Sequence, residues 1–137
     1  MPRAKADPPS TRPLAAKLGV KTGFAVCVLG APEGFADRLA PLPADVVLSA
    51  RPGRTQDLFV CFVRSVRELD ARLAALTPLV ACQTVWLAWP KKASGLATEL
   101  DGNIVRERGL AIGWVDFKVC AIDPTWSGLA FKKRARI

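Results

Sequence analysis

Two short segments in the second half of the chain concentrate aromatic, cationic and carboxylate side chains. One holds Trp89, Lys91, Lys92 and Ser94, and the other holds Asp123, Thr125 and Trp126. Because indole rings stack on planar groups and ammonium groups pair with anions, these side chains predict a pocket for an anionic or nucleotide-like ligand. Each also has a purely structural interpretation. A tryptophan before a proline ends a strand and packs, paired lysines are commonly solvated, and an aspartate before a proline initiates a turn.

Three earlier turns add glycines and charges to this set. Gly30, Glu33 and Gly34 follow the first apolar run, Arg51 follows the second, and Arg64 follows the third. Because the carboxyl ends of parallel strands meet at one edge of a sheet, we expect all of these residues to share that edge. Glu33 has the alternative role of neutralising the positive end of the helix that follows it.

The residue types that are missing exclude several chemistries. The chain has no histidine and no tyrosine, so activation of a nucleophile by histidine is unavailable within it. Its four cysteines, Cys27, Cys61, Cys82 and Cys120, lack the close pairing of structural zinc sites, and we expect no metal. They are interpreted as buried, reduced, small apolar side chains, which favours a cytoplasmic location.

The net charge of +8 is concentrated at the two ends of the chain. Residues 23–130 contain eleven basic and eleven acidic side chains, so the body is neutral and nucleic-acid binding is not expected beyond weak contacts of the ends. We predict a basic arm over residues 1–13, a domain over 14–133 and a basic tail over 134–137. No stretch is apolar enough for a membrane span or a signal peptide, so a soluble protein is expected.

The hydrophobic pattern predicts alternating strands and helices. Continuous apolar runs are typical of strands buried on both faces of a parallel sheet. Ser65 and Glu68 form a capping box before a helix, and a second helix is predicted from Asp101 to Arg108, with Gly109 ending it. Strict alternation over 114–122 and a return over 126–133 indicate an antiparallel hairpin. The apolar runs cover residues 24–29, 46–49, 58–63 and 84–88.

These elements predict a single Rossmann-like α/β domain with three layers. Its sheet is expected to be mostly parallel, to contain about six strands and to end in the antiparallel hairpin. On the inward face of the first hairpin strand we place Val115, Phe117, Val119 and Ala121. The exposed hairpin strand could pair with a second copy, although its lysines oppose such association, and the oligomeric state stays open.

The order of elements over residues 58–133 resembles the second half of class I methyltransferases, which end in such a hairpin. The resemblance implies that the turn after the first strand is the cofactor loop. Only Gly30 and Gly34 are glycines there, and Pro32 removes an amide donor. The family's second strand ends in an acid that binds ribose hydroxyls, whereas Ser49, Ala50 and Arg51 stand at that place here.

Five segments resemble, residue by residue, a family of small bacterial proteins known as a domain of unknown function. The resemblance spans nearly the whole predicted domain and implies a stand-alone cytoplasmic domain, but it implies no reaction or catalytic residue. The segments are 13–19, 31–35, 88–95, 115–123 and 125–129.

Taken together, these patterns favour a non-catalytic Rossmann-like module that binds a small anionic ligand or a protein partner at the carboxyl edge of its sheet. No cofactor is assigned. The alternatives are a degenerate adenosylmethionine-dependent, methyltransferase-like enzyme and weak nucleic-acid binding through the basic ends.

Overall fold

A six-stranded sheet in the order β2-β1-β3-β4-β6-β5 organises the part of the chain that the structure describes. The structure is a computed structural model, and it describes residues 13–92 and 99–134. The strands are β1 (Ala25–Leu29), β2 (Val47–Ser49), β3 (Leu58–Phe62), β4 (Thr84–Pro90), β5 (Trp114–Ala121) and β6 (Trp126–Lys133). The helices are α1 (Leu14–Leu18), α2 (Phe35–Leu39), α3 (Val66–Leu76) and α4 (Gly102–Ala111).

The first four strands run parallel, and the chain reverses only at the end of the sheet. β1 lies between β2 and β3, so the direction of winding switches at β1. β6 pairs antiparallel with both β4 and β5. The predicted fold class, a single mostly parallel α/β domain closed by an antiparallel pair, is therefore confirmed.

Each face of the sheet is covered by one pair of helices. Helices α3 and α4 pack on one face over a cluster that contains Phe59, Leu87 and Phe131. Helices α1 and α2 pack on the other face over Val60 and Trp86. All five residues of β3 are buried, as its continuous apolar run predicts for a strand covered on both sides.

The start of α3 agrees with the predicted capping box except for one hydrogen bond. Ser65 Oγ accepts from the amide of Glu68 at 3.0 Å, which confirms Ser65 as the N-cap. Glu68 Oε1 accepts from the amide of Arg64 at 2.7 Å, one residue earlier than the capping-box pattern predicts. The reciprocal bond therefore fixes the link between β3 and α3.

Gly109 does not end α4, so that prediction was wrong. The helix begins after Asp101, whose carboxylate accepts from the amide of Ile104, and it continues to Ala111. Gly109 is buried inside the helix against the ring of Phe131, and the residue after the helix with a positive φ is Gly113. The glycine meets a packing requirement, because it lets α4 approach β6 closely.

The predicted alternation along β5 is interrupted by a β-bulge. The register with β6 shifts between Asp116 and Lys118, so Phe117 has no partner across the strand pair. Phe117 and Val119, predicted to face inward, are 52% and 69% exposed, whereas Cys120 is buried. A bulge changes which face each following residue occupies, so Cys120 packs under α1 and α2 whereas Trp114, before the bulge, packs under α3 and α4.

All four cysteines are free thiols, and Cys82 departs from the prediction because it is exposed. It lies in the loop before β4, outside the apolar runs. Across residues 13–92 and 99–134, no helix is long and apolar enough to cross a membrane.

Candidate functional site

A cleft opens at the carboxyl edge of the sheet between the ends of β1 and β2. We call it the β1–β2 cleft, and its volume is about 350 Å³. Its walls come from the end of β1, the turn into α2, the first turn of α2 and the end of β2. The residues are Val28, Ala31, Pro32, Gly34, Phe35, Ala36, Leu48, Ser49 and Ala50, and none of them is ionisable.

The turn after β1 depends on two glycines that do different things. Gly30 has φ +70°, and a Cβ there would lie 2.7 Å from the carbonyl oxygen of Phe62 on β3. Gly34 has φ +85° and lines the cleft, and a Cβ there would meet no described residue within 4 Å beyond its chain neighbours. Gly30 therefore allows β1 and β3 to approach, and Gly34 exposes backbone to the cleft. Glu33 is exposed and lies outside the cleft lining.

The end of β2 is held by its own hydrogen bonds. Ser49 Oγ accepts from the amide of Arg51 at 3.0 Å, and the carbonyl of Arg51 accepts from Gln56 Nε2 at 3.1 Å. Arg51 itself is exposed. Ser49 thus orders the turn and leaves the cleft with a hydroxyl where a carboxylate would bind a ribose.

Arg64 links the first turn to the last strand. Its guanidinium donates to the carbonyl of Gly30 at 3.1 Å and lies 5.0 Å from the ring centroid of Trp126. Edge-to-face contacts join Trp126 to Phe62 and Phe62 to Phe35, which forms part of the cleft wall. Three of the predicted residues, Gly30, Arg64 and Trp126, are therefore brought together beside the cleft.

Asp123 organises the turn between β5 and β6. One carboxylate oxygen accepts from the amides of Thr125 and Trp126 at 2.7 and 2.8 Å. The other lies 3.6 Å from the guanidinium of Arg38 on α2. The amide of Lys91 donates to the carbonyl of Thr125 at 2.8 Å, so the end of β4 is joined to the same turn.

The two tryptophans do not face each other. Trp89 lies within β4 and packs in the cluster under α3 and α4, against Gly102, whereas Trp126 belongs to the cluster under α1 and α2. Lys91 is partly buried and Lys92 is exposed. Ser94 lies outside the described residues. Of these two tryptophans, Trp126 is the one that lies beside the cleft, where it is buried and has the guanidinium of Arg64 over its ring.

The buried thiols contribute no nucleophile to this edge. Burial raises the pKa of Cys61 and of Cys27, and the positive charge of Arg72 offsets only part of that effect. Both thiols therefore stay protonated near neutral pH. Their packing in the core is what the sequence predicts for them.

Sequence reasoning missed the apolar wall of the cleft. Val28 and Leu48 lie in predicted strands, and no pattern in the sequence predicts a ligand contact for Phe35 or Ala36 at the start of α2. One signal was present: their elements end together at the carboxyl edge of β1 and β2, where open α/β sheets bind ligands. Apolar type alone does not separate a cleft wall from a core residue.

The architecture is similar to that of several solved methyltransferases. A protein from Sulfolobus solfataricus described as a type 11 methyltransferase aligns with TM-score 0.61 and 11% identity, over 94% of each chain. The ribosomal protein L11 methylase of Lactobacillus delbrueckii subsp. bulgaricus gives 0.59 and 13%, over 89% of this chain and 75% of that one. Magnesium protoporphyrin IX methyltransferase from Synechocystis PCC 6803, solved with bound SAH, gives 0.53 and 12%, over 82% and 75%.

At these identities the likeness is one of fold. The chain has the Rossmann-like fold of methyltransferases. No family model and no curated protein matches the sequence. The resemblance to the domain of unknown function stays a prediction.

Proposed function

We propose that this chain is a methyltransferase-like domain that binds the nucleoside part of an adenosylmethionine-type ligand in the β1–β2 cleft. The observation that carries the proposal is the position of that cleft. It lies at the carboxyl edge of β1 and β2 in a sheet of the methyltransferase kind, where open α/β sheets bind their ligands.

The cleft walls suit a flat, uncharged ring system. Phe35, Val28 and Leu48 offer apolar surface, and a volume of about 350 Å³ lies within the usual range of small-molecule sites. Gly34 allows the backbone to approach the ligand because it has no side chain and a positive φ. The adenine ring is the part of such a ligand that these residues hold.

The cleft offers only a weak hydrogen-bond acceptor to the ribose. Ser49 supplies one hydroxyl in place of a carboxylate, and that hydroxyl already accepts from the amide of Arg51. A charged acceptor makes a stronger hydrogen bond than a neutral one, so we expect modest affinity.

When bound, adenosylmethionine supplies a methyl group on sulfur. The lining residues bind and orient the ligand, and because none is ionisable, none of them takes up a proton.

Filling the cleft tests the site. Isothermal titration of the full chain with adenosine and with adenosylhomocysteine should show binding that Ala36→Phe weakens at least about tenfold, a loss of about 1.4 kcal/mol. Ala71→Phe is the matched control, because Ala71 is also an exposed helical alanine but lies on α3, away from the cleft. Equal losses in both variants would place the ligand elsewhere.

Restoring a carboxylate tests the proposed orientation. Ser49→Asp retains an acceptor for the amide of Arg51 and adds a charged acceptor at the end of β2. It should tighten adenosine binding about tenfold and leave 2′,3′-dideoxyadenosine unchanged, because the added bonds go to the two ribose hydroxyls that the dideoxy analogue lacks. If neither the wild type nor this variant binds any adenosyl compound, the proposal fails.

A second candidate is the non-catalytic module that binds an anion or a protein partner at the same edge. The observation that favours it is the guanidinium of Arg64 over Trp126, whose turn is joined through Asp123 to exposed Arg38. Stabilisation by citrate or phosphate, lost in Arg64→Gln and unaffected by Ala36→Phe, would support this candidate over the adenosyl ligand.

A further inference from the structure

A second cleft lies at the opposite, amino-terminal edge of the parallel strands. We call it the distal cleft, and its volume is about 310 Å³. It is formed by α1 and its C-terminal turn and by the β1, β3, β4, β5 and β6 regions. The lining residues are Leu18, Gly19, Lys21, Phe24, Asp57, Leu58, Cys82, Gln83, Thr84, Trp86, Phe117, Lys118 and Lys132.

The distal cleft carries a local excess of positive charge. Three lysines line it, Lys21, Lys118 and Lys132, against the single carboxylate of Asp57. That carboxylate accepts from the amide of Ala25 at 2.8 Å and so belongs to the entry into β1. Neither Lys21 nor Lys132 forms an ion pair with a residue of the described part of the chain. A concave surface lined by one sign of charge attracts ligands of the opposite sign.

An aromatic ring stands beside these lysines. Phe117 is 52% exposed, and the ammonium group of Lys132 lies 5.3 Å from its ring centroid. The ring occupies this place because of the bulge in β5, which leaves Phe117 unpaired with β6. Bulges of this kind are enriched next to functional sites, where they redirect a side chain.

The floor of the distal cleft is rigid. The indole nitrogen of Trp86 donates to the carbonyl of Leu18 at 2.8 Å, and the Trp86 ring is buried under α1. Lys118 Nζ donates to the carbonyl of Lys17 at 2.7 Å, so β5 is also joined to α1. The lysines and the ring of Phe117 therefore lie on or next to elements that hydrogen bonds hold together, namely α1, β4 and β5.

We propose that the distal cleft binds a small phosphorylated molecule with a planar ring, of the nucleotide class. Lys21 and Lys132 pair with the phosphate, and Phe117 stacks on the ring. The site is independent of the β1–β2 cleft, which has no ionisable lining and lies at the other edge of the sheet. A concave cleft of about 310 Å³ favours a single nucleotide over a polymer that tracks along a surface.

Protection of the exposed thiol of Cys82 from alkylation measures the occupancy of the distal cleft. Cys82 lines the distal cleft, and Cys27, Cys61 and Cys120 are buried, so iodoacetamide should modify the native chain at Cys82. Saturating uridine monophosphate should slow this modification at least threefold. Uridine without phosphate should protect less, and adenosylhomocysteine should not protect.

Charge variants identify the contacts. In isothermal titrations with uridine monophosphate, Lys21→Gln and Lys132→Gln should each weaken binding about tenfold. Phe117→Leu should weaken uridine monophosphate and leave inorganic phosphate unchanged. Lys133→Gln is the matched control, because it removes the same charge from the next residue of β6 and lies outside the cleft lining. Ala36→Phe in the β1–β2 cleft should have no effect.

Four results would overturn the proposal. The first is that uridine monophosphate does not bind at millimolar concentration. The second is that it binds but leaves the rate of iodoacetamide modification at Cys82 unchanged. The third is that Lys132→Gln and Lys133→Gln lose the same affinity for it. The fourth is a single-stranded oligonucleotide that binds far more tightly than the mononucleotide and is insensitive to Phe117→Leu, since this would indicate a nucleic-acid surface.

Discussion

Replacing Gly30 by alanine should destabilise the fold far more than the same change at Gly34. Both residues have a positive φ, +70° and +85°, so both substitutions incur the left-handed backbone cost of about 1–2 kcal/mol. At Gly30 the new methyl group would also lie 2.7 Å from the carbonyl oxygen of Phe62. Because that oxygen is part of the backbone of a buried central strand, it moves only with the sheet, and such overpacking costs about 1–3 kcal/mol more.

Urea denaturation measures this difference. All four tryptophans are buried, so their fluorescence reports unfolding, and the midpoint with its slope gives the free energy of unfolding. We expect Gly34→Ala to lose about 1–2 kcal/mol and Gly30→Ala about 2–5 kcal/mol. A difference smaller than about 0.5 kcal/mol would refute the close approach of the two backbones, since surface-type effects fall within that range.

The same variant separates two roles for Gly30. If the glycine serves the approach of β1 to β3, folded Gly30→Ala retains its affinity for adenosine within about threefold while its stability falls. If the glycine contacts a ligand, affinity falls without a large loss of stability. Titration of the variant below its melting temperature decides between them, and the second outcome would contradict the structural assignment.

Four further substitutions test the packing of the fold and the titration of a buried thiol. Gly109→Ala should destabilise by about 1–2 kcal/mol in thermal or urea unfolding despite its gain in helix propensity, because the added Cβ meets buried ring atoms of Phe131, two of them at 2.9 and 3.0 Å. Gly102→Ala, at ordinary contact distance from its neighbour, should not destabilise. Ser65→Ala should cost about 1 kcal/mol through the lost N-cap of α3. Burial raises the pKa of Cys61, so the folded state keeps a proton that the unfolded chain loses above about pH 9, and stability falls as pH rises. Cys61→Ala should make that fall shallower by about 1.4 kcal/mol per pH unit.

The strands and α3 were predictable because their signals are local. The apolar run at 58–63 contains β3, and the serine at position 65 caps α3 by a bond to a residue three positions later. Each of these patterns involves only a few consecutive residues. A cap depends on two residues close in sequence, and an uninterrupted apolar run indicates a strand that is buried on both faces. That the strands form a mostly parallel sheet with an antiparallel end followed from general rules for such sheets, whereas the strand order came from the structure.

The ends of strands were less predictable, and this affected the candidate site. The sequence Trp89-Pro90 suggested that β4 ends before the tryptophan, but Pro90 still pairs with Trp126 across the antiparallel edge. Trp89 therefore occupies a strand position, and its side chain packs under α3 and α4 instead of joining Trp126. Because side chains alternate along a strand, the extension of β4 through Pro90 fixes the face that Trp89 occupies, and no local signal determined that extension.

The charged residues of the carboxyl edge mostly serve to join elements. Arg64 links the turn after β1 to Trp126, and Asp123 links its own turn to Arg38 on α2. With these groups engaged, the cleft beside them is left with an uncharged lining, which suits a neutral nucleoside. At the other edge Lys21 and Lys132 line a cleft without ion pairs to described residues, which suits an anion. The two proposals thus give the two edges opposite ligand preferences, and the paired effects of Ala36→Phe and Lys132→Gln on adenosine and uridine monophosphate test that separation.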